Sequence, residues 1–178
     1  MQYLTFTVRG FVPDPETQQP ILILQDETER FALPIWIGLP EAGAIAAALE
    51  ERSLPRPMTH DLLATVIGTL GATVDHVCVR AIDAGTFLAD LWLRDQTGAL
   101  HSIDCRPSDA IALAVRTGGP IRVAAPVLEA AQPLNAASGD ENDTNPLETV
   151  SADDPEACAR LAETLARLTP EDFGKFRA

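Results

Sequence analysis

An α+β fold is predicted by two features of this chain. The order strand, strand, strand, helix occurs twice, over about residues 2–51 and 73–116. The strands within each set are separated by short turn sequences, which join neighbours into antiparallel pairs. The expected core is a mixed, mainly antiparallel sheet, or a barrel-like closure of it, with helices packed on it and a further helix near the C-terminus.

The first strand occupies residues 2–12, where Leu4, Phe6 and Val8 alternate with Tyr3, Thr5 and Thr7. That period of two marks a half-buried strand. After the turn at Pro13-Asp14-Pro15, the run Ile21-Leu22-Ile23-Leu24 is apolar on both faces, as in a central strand. A third strand passes through Phe31, Leu33, Ile35 and Ile37, and Pro40-Glu41 opens a helix to about Glu51. Proline suits the first turn, and an acid there suits the positive end of the helix dipole.

Thr59 offers an N-cap to a second helix, with Asp61 in its first turn and Leu62, Leu63, Val66, Ile67 and Leu70 at helical spacing. Strands at about 73–82, 86–94 and 99–105 are divided by Asp83-Ala84-Gly85 and Asp95-Gln96-Thr97-Gly98. A helix from Ser108 to Arg116 and a short strand from Ile121 to Val123 complete the pattern. A shift of 66 residues lays Ala44-Ile45-Ala46 on Ala110-Ile111-Ala112, which reads as an internal duplication.

Three regions are expected: a domain at 1–131, an acidic disordered linker at 132–155, and a helical tail at 156–178. The linker carries six acids and no base among Asn, Ser, Gly and Pro. In the tail, Leu161, Leu165 and Leu168 form one stripe that must bury itself on its own domain or on a second subunit.

The charge limits the partners. The formal net charge is −13, with 12 arginines and a single lysine, Lys175. A protein that holds a phosphate backbone tightly shows a basic stripe, and none is present. DNA or RNA is therefore expected only as a transient substrate, with no stable complex, and a homo-oligomer is compatible with the pattern. Cys78, Cys105 and Cys158 lack paired spacing, and the longest apolar run, Ala42 to Leu49, is too short to span a bilayer. The start lacks a basic region followed by an apolar one, so a soluble cytoplasmic protein is expected.

Several chemistries find no residues. The chain has no phosphate-cradling Gly-rich loop ending in Lys-Ser/Thr, no Gly-x-Ser-x-Gly elbow, no His-Glu-x-x-His helix and no zinc spacing. Oxygen chemistry remains. Asp104, Asp109 and Glu41 lie near helix starts, with His60 and Asp61 at another. Carboxylates so placed suit Mg²⁺ or Mn²⁺, and an adjacent arginine can stabilise charge on a phosphate.

The same residues have a purely structural reading. Ser108 can cap its helix, Asp109 can complement the dipole, and Asp104 can pair with Arg106. His60-Asp61 can be helix punctuation, Trp36 and Trp92 packing, and Cys105 a small buried hydrophobe. At the 66-residue shift, however, Asp104, Arg106 and Asp109 fall on Gly38, Pro40 and Gly43. The fold of one half therefore does not need charge in those slots, and function is a candidate reason for it in the other.

The segments Leu33-Pro34-Ile35-Trp36-Ile37-Gly38, Arg56-Pro57-Met58-Thr59-His60-Asp61-Leu62 and Asp83-Ala84-Gly85-Thr86-Phe87 resemble the bifunctional nuclease domain family. So does Asp104-Cys105-Arg106-Pro107-Ser108-Asp109-Ala110-Ile111-Ala112-Leu113-Ala114, with Cys105 where the family often has Ala. The resemblance covers about residues 2–131 and implies a nuclease acting on DNA and RNA.

In the leading reading, Asp104 and Asp109 hold the divalent ion and Arg106 contacts phosphate. His60 or Glu41 serves as acid/base, and Ser108 and Asp61 assist Arg106 in binding substrate. The alternative is a non-enzymatic module of the same fold that binds a small ligand or a protein.

Overall fold

A computed structural model describes residues 2–130 apart from 29, 53 and 54. The elements run β1 (Tyr3–Pro13), β2 (Pro20–Asp26), β3 (Ala32–Trp36), α1 (Leu39–Leu49), α2 (Thr59–Thr69), β4 (Thr73–Asp83), β5 (Thr86–Arg94), β6 (Leu100–Cys105), α3 (Pro107–Thr117), β7 (Ile121–Ala124) and α4 (Ala125–Ala130). The twofold strand-strand-strand-helix order stands, with α2 between the units and β7 and α4 after them. The predicted linker and tail helix lie outside the described residues.

The seven strands among the described residues form one open sheet in the order β3-β2-β1-β7-β4-β5-β6, so a sheet rather than a barrel is the outcome. Each set of three consecutive strands is an antiparallel meander. The late strand β7 inserts between them, antiparallel to β1 and parallel to β4. The two meanders thus extend from β7 in opposite directions, β3 forming one sheet edge and β6 the other.

Register defines the two faces. Phe6, Ile121, Val77, Leu91 and Ile103 pair in one row across five strands. The first four of these are buried, and α3 packs on β4 and β5. Side chains alternate along a strand, so the row Thr5, Arg122, Cys78, Asp90 and Asp104 lies on the opposite face. β2 is buried on both faces from Ile21 to Leu24, as its unbroken apolar run predicts.

The central helix is α3. Ala110, Ile111, Ala112, Leu113 and Ala114 are all buried, because it lies against the sheet with α1 and α2 beside it. Its alanines leave room for close approach by Ala44 and Ile45, the buried residues of α1. Pro107 fits its first turn, and Gly118 ends it with φ of 70°, a left-handed cap that glycine adopts without a Cβ clash. The caps differ from expectation at two positions. Met58, not Thr59, is the N-cap of α2, and Arg106, not Ser108, is the N-cap of α3.

Candidate functional site at three helix starts

Each of the three main helices carries an acid two residues after its first position: Glu41 in α1, Asp61 in α2 and Asp109 in α3. The strand β6 ends at Cys105, and Arg106 follows in extended conformation as the α3 N-cap. From there its guanidinium reaches two of the acids. Nε donates to Asp109 Oδ2 at 2.8 Å, Nη2 to Asp109 Oδ1 at 3.2 Å, and Nη1 to Glu41 Oε1 at 2.8 Å. One planar fork thereby joins the starts of α1 and α3.

The fourth member comes from α2. His60 Nε2 lies 3.1 Å from Asp109 Oδ1, and the imidazole is 13% exposed. The Arg106 hydrogen bonds hold the Asp109 carboxyl below its ordinary range, against the opposing effect of burial, with His60 adding to the lowering. An ionised Asp109 accepts only, so the tautomer assigned to a neutral His60 carries its proton on Nε2. Its base atom is then Nδ1.

Asp104 is not part of this cluster. It belongs to the sheet face opposite Cys105, where Asp104 Oδ1 accepts from Arg80 Nη2 at 3.0 Å. Arg80 Nε also donates to Asp90 Oδ1 at 3.0 Å. Asp104 therefore pairs with Arg80, and the expected local pair with Arg106 does not form. Asp104 and Asp109 serve separate networks on separate faces.

That separation bears on the divalent ion. Among the described residues no group of three His, Cys, Asp or Glu side chains is placed to hold a metal. The Arg106 guanidinium also stands between Glu41 and Asp109, where a cation shared by those carboxylates would sit. The side chains in this arrangement do not fit a resident Mg²⁺ or Mn²⁺.

Asp61 turns elsewhere. Its Oδ2 accepts from the Met58 backbone N–H at 2.7 Å and its Oδ1 from Arg116 Nε at 2.5 Å. Arg116 is 9% exposed and also donates to the Ala112 carbonyl at 2.9 Å. The Arg116 hydrogen bond, followed by that of Met58, lowers the Asp61 pKa. Asp61 and Arg116 line an open cavity of about 290 Å³, with Ala47, Glu51, Arg52 and Met58. Ser108 is buried at the second position of α3, behind the exposed Arg106.

The structure brings together Glu41, His60, Arg106 and Asp109, four of the residues that the sequence groups with Asp104 and Asp61, and adds Arg80, Asp90 and Arg116, which the sequence reading missed. Arg116 follows Asp109 by seven residues, two helical turns, and that spacing was the available sign of a shared face. Other polar and aromatic side chains pair away from this cluster. His76 stacks on Trp92 with ring centres 5.4 Å apart, and Trp36 Nε1 donates to Asp14 Oδ2 at 2.9 Å. Burial, supported by Asp109, Asp90 and Asp104, pushes the Cys105 thiol to about 11, so it is no ready nucleophile.

An α+β domain with an Arg-His-carboxylate cluster at converging helix starts is the class that fold and site define. Residues 22–135 match the bifunctional nuclease domain family, and the chain belongs to that family. Two proteins of Mycobacterium tuberculosis are similar over nearly their whole length. They are the uncharacterized proteins MT1877 of strain CDC 1551 / Oshkosh and Rv1829 of strain H37Rv. Each is 37% identical over 166 residues, covering 93% of this chain and 95% of the relative. No helix among the described residues is long and apolar enough to cross a membrane.

Proposed function

We propose that this protein hydrolyses phosphodiester bonds of DNA or RNA at the His60–Asp109–Arg106 cluster. The observation that carries the reading is the His60 Nε2–Asp109 contact of 3.1 Å beside an exposed arginine. Asp109 orients the imidazole, and Nδ1 accepts a proton from water as the water oxygen adds to phosphorus. The bond from phosphorus to the departing sugar oxygen breaks, and that oxygen takes a proton back. Arg106 stabilises charge on the non-bridging oxygens, while Glu41 fixes the position of the guanidinium. The acidic chain releases its polyanionic product readily, which suits turnover over storage. On this reading it works in a reducing cytoplasm, where Cys78 and Cys105 remain free thiols.

One observation favours a non-enzymatic reading. Arg106 is already bonded to two carboxylates, so the same cluster serves as a staple joining α1, α2 and α3. The two readings separate in one assay. Single-stranded RNA and DNA are incubated with wild type, His60→Gln and Asp109→Asn, with chelator or with added Mg²⁺. Loss of cleavage in both variants, with unchanged circular dichroism, supports the nuclease. Cleavage by His60→Gln at the wild-type rate overturns these roles, and no cleavage by wild type in any condition favours the module. Cleavage abolished by chelator and restored by Mg²⁺ would show that a cation enters with the substrate.

A further inference from the structure

We propose that β6 and α2 form a two-fold interface between two copies of this chain. The inference is independent of the nuclease reading and rests on a sheet edge and a helix face that are left open among the described residues and meet at their ends.

The two ends of α2 reach the two flanks of β6, and its body packs on α3. At its start, His60 meets Asp109, just beyond the end of β6. At its end, the Leu70 carbonyl accepts from Gln96 Nε2 at 3.3 Å, in the turn just before β6. The lengths agree, since eleven helical residues and six strand residues each span about 16–20 Å.

Only Ile67 of α2 is buried. Leu62, Leu63, Val66 and Leu70, at helical spacing, are 57%, 40%, 42% and 73% exposed. Ile103 of β6, on the helix-bearing face of the sheet, is 46% exposed. All five are large, apolar and exposed, and apolar surface gathered on one side of a soluble protein marks an interaction site. Strand pairing along β6 adds to it toward the ~800 Å² that each partner contributes to a standard interface.

The two sheet edges are unlike. β3 carries Pro34 within the strand, which removes a ladder donor. β6 has no proline, lysine or arginine to discourage pairing, and its one exposed carboxylate, Asp104, is paired with Arg80 of its own chain. The occupant that suits such an edge is its own copy, because antiparallel pairing of two identical strands is two-fold symmetric by construction. Centring the pairing on Ile103 places Ile103 against Ile103 and Asp104 against Ser102. It places His101 against Cys105, so no like charges oppose each other. The two α2 helices then lie on the same face of a continuous sheet, and their leucines have a place to pack. In this register His101 of the second copy, bonded to Asp95 at 2.7 Å, stands next to the strand end that leads into Arg106.

Light scattering and sedimentation velocity on the full chain at micromolar concentrations test the interface. Wild type is expected at twice the chain mass of 19.1 kDa. Val66→Glu and Ile103→Lys, both at exposed positions, should each weaken the dimer by roughly tenfold or more. Their circular dichroism and melting temperature at matched monomer state should remain near those of a folded chain. A wild type that is monomeric throughout overturns the proposal and leaves the face to another occupant, such as the leucines of the tail. So does a dimer that neither substitution affects.

Discussion

His60 on α2 and Asp109 on α3 meet at 3.1 Å although 49 residues separate them in the chain. The contact links a helix whose apolar face is mostly uncovered to the most buried helix of the fold. Asp109 also accepts from Arg106, so the carboxylate that faces the imidazole is hydrogen-bonded from two directions.

A neutral amide at either member separates orientation from proton transfer. His60→Gln removes the base atom but keeps a side-chain donor, and cleavage should fall about 10²–10⁴-fold, the usual range for a general acid/base group. Asp109→Asn keeps the shape and removes the charge that orients His60. The same assay should show a loss in kcat larger than any change in KM. A KM effect alone would mean that the pair binds substrate without taking part in its chemistry.

Acid should expose the same carboxylate through stability. Arg106, opposed by burial and helped by His60, keeps the folded-state pKa of Asp109 below its unfolded value of about 3.9. Between these two values the unfolded chain binds more protons, so stability rises with pH there and is flat above. The contribution is therefore complete above about pH 4–5 and lost as pH falls through the folded pKa. Urea midpoints measured from acid to neutral pH should show a steeper acid decline in wild type than in Asp109→Asn. Parallel curves would remove Asp109 from the account.

Arg106 should behave differently in the two assays. It is well exposed, and solvent screens its pairs with Glu41 and Asp109, so Arg106→Ala should cost about 1 kcal/mol of stability. Loss of one transition-state donor costs about 10²–10³ in rate. Arg106→Lys should recover the stability and little of the rate, because an ammonium cannot reproduce the planar fork. A lysine variant of wild-type activity would assign the side chain to simple charge.

Asp61 makes the opposite case. It satisfies the Met58 N–H at the α2 cap and pairs with the nearly buried Arg116. Asp61→Ala loses both, and the Arg116 charge is left with only the Ala112 carbonyl among these partners. Asp61 itself is partly exposed, so water screens the pair and the expected loss is about 1–2 kcal/mol, well short of the 3–5 for a sealed pair. Chemical denaturation measures it. A loss confined to cleavage, with stability unchanged, would instead place Asp61 in the site.

How much of this was legible depends on which interaction decided each element. The strands were readable because alternation in β1 and the double-sided run in β2 record burial directly. The three helix starts were readable from Pro40-Glu41, Thr59 with Asp61, and Ser108, each within a residue or two of the observed start. The place of β7 was not, because the four residues Ile121–Ala124 fit a central strand and an edge strand equally well. In the site, Glu41, His60 and Asp109 could be gathered as helix-start residues, since helix starts attract acids. Asp104 was gathered with them only by proximity along the chain. One residue further along a strand reverses the face, and that rule sends Asp104 away from Cys105 toward Arg80.

Asp104 consequently provides the sharpest control. Its side chain is 78% exposed at the sheet edge, and its partner Arg80 retains Asp90 when it is removed. Asp104→Asn should change stability by less than about 0.5 kcal/mol, the range of surface substitutions remote from buried features. Cleavage should stay within a factor of about two, because 1.4 kcal/mol would be needed for a tenfold change and no such contact is lost. Asp109→Asn, five residues on, is expected to abolish most activity. If the two aspartates instead prove equally essential and their loss is compensated by excess Mg²⁺, they act together on a cation, and the side chains must rearrange when substrate binds.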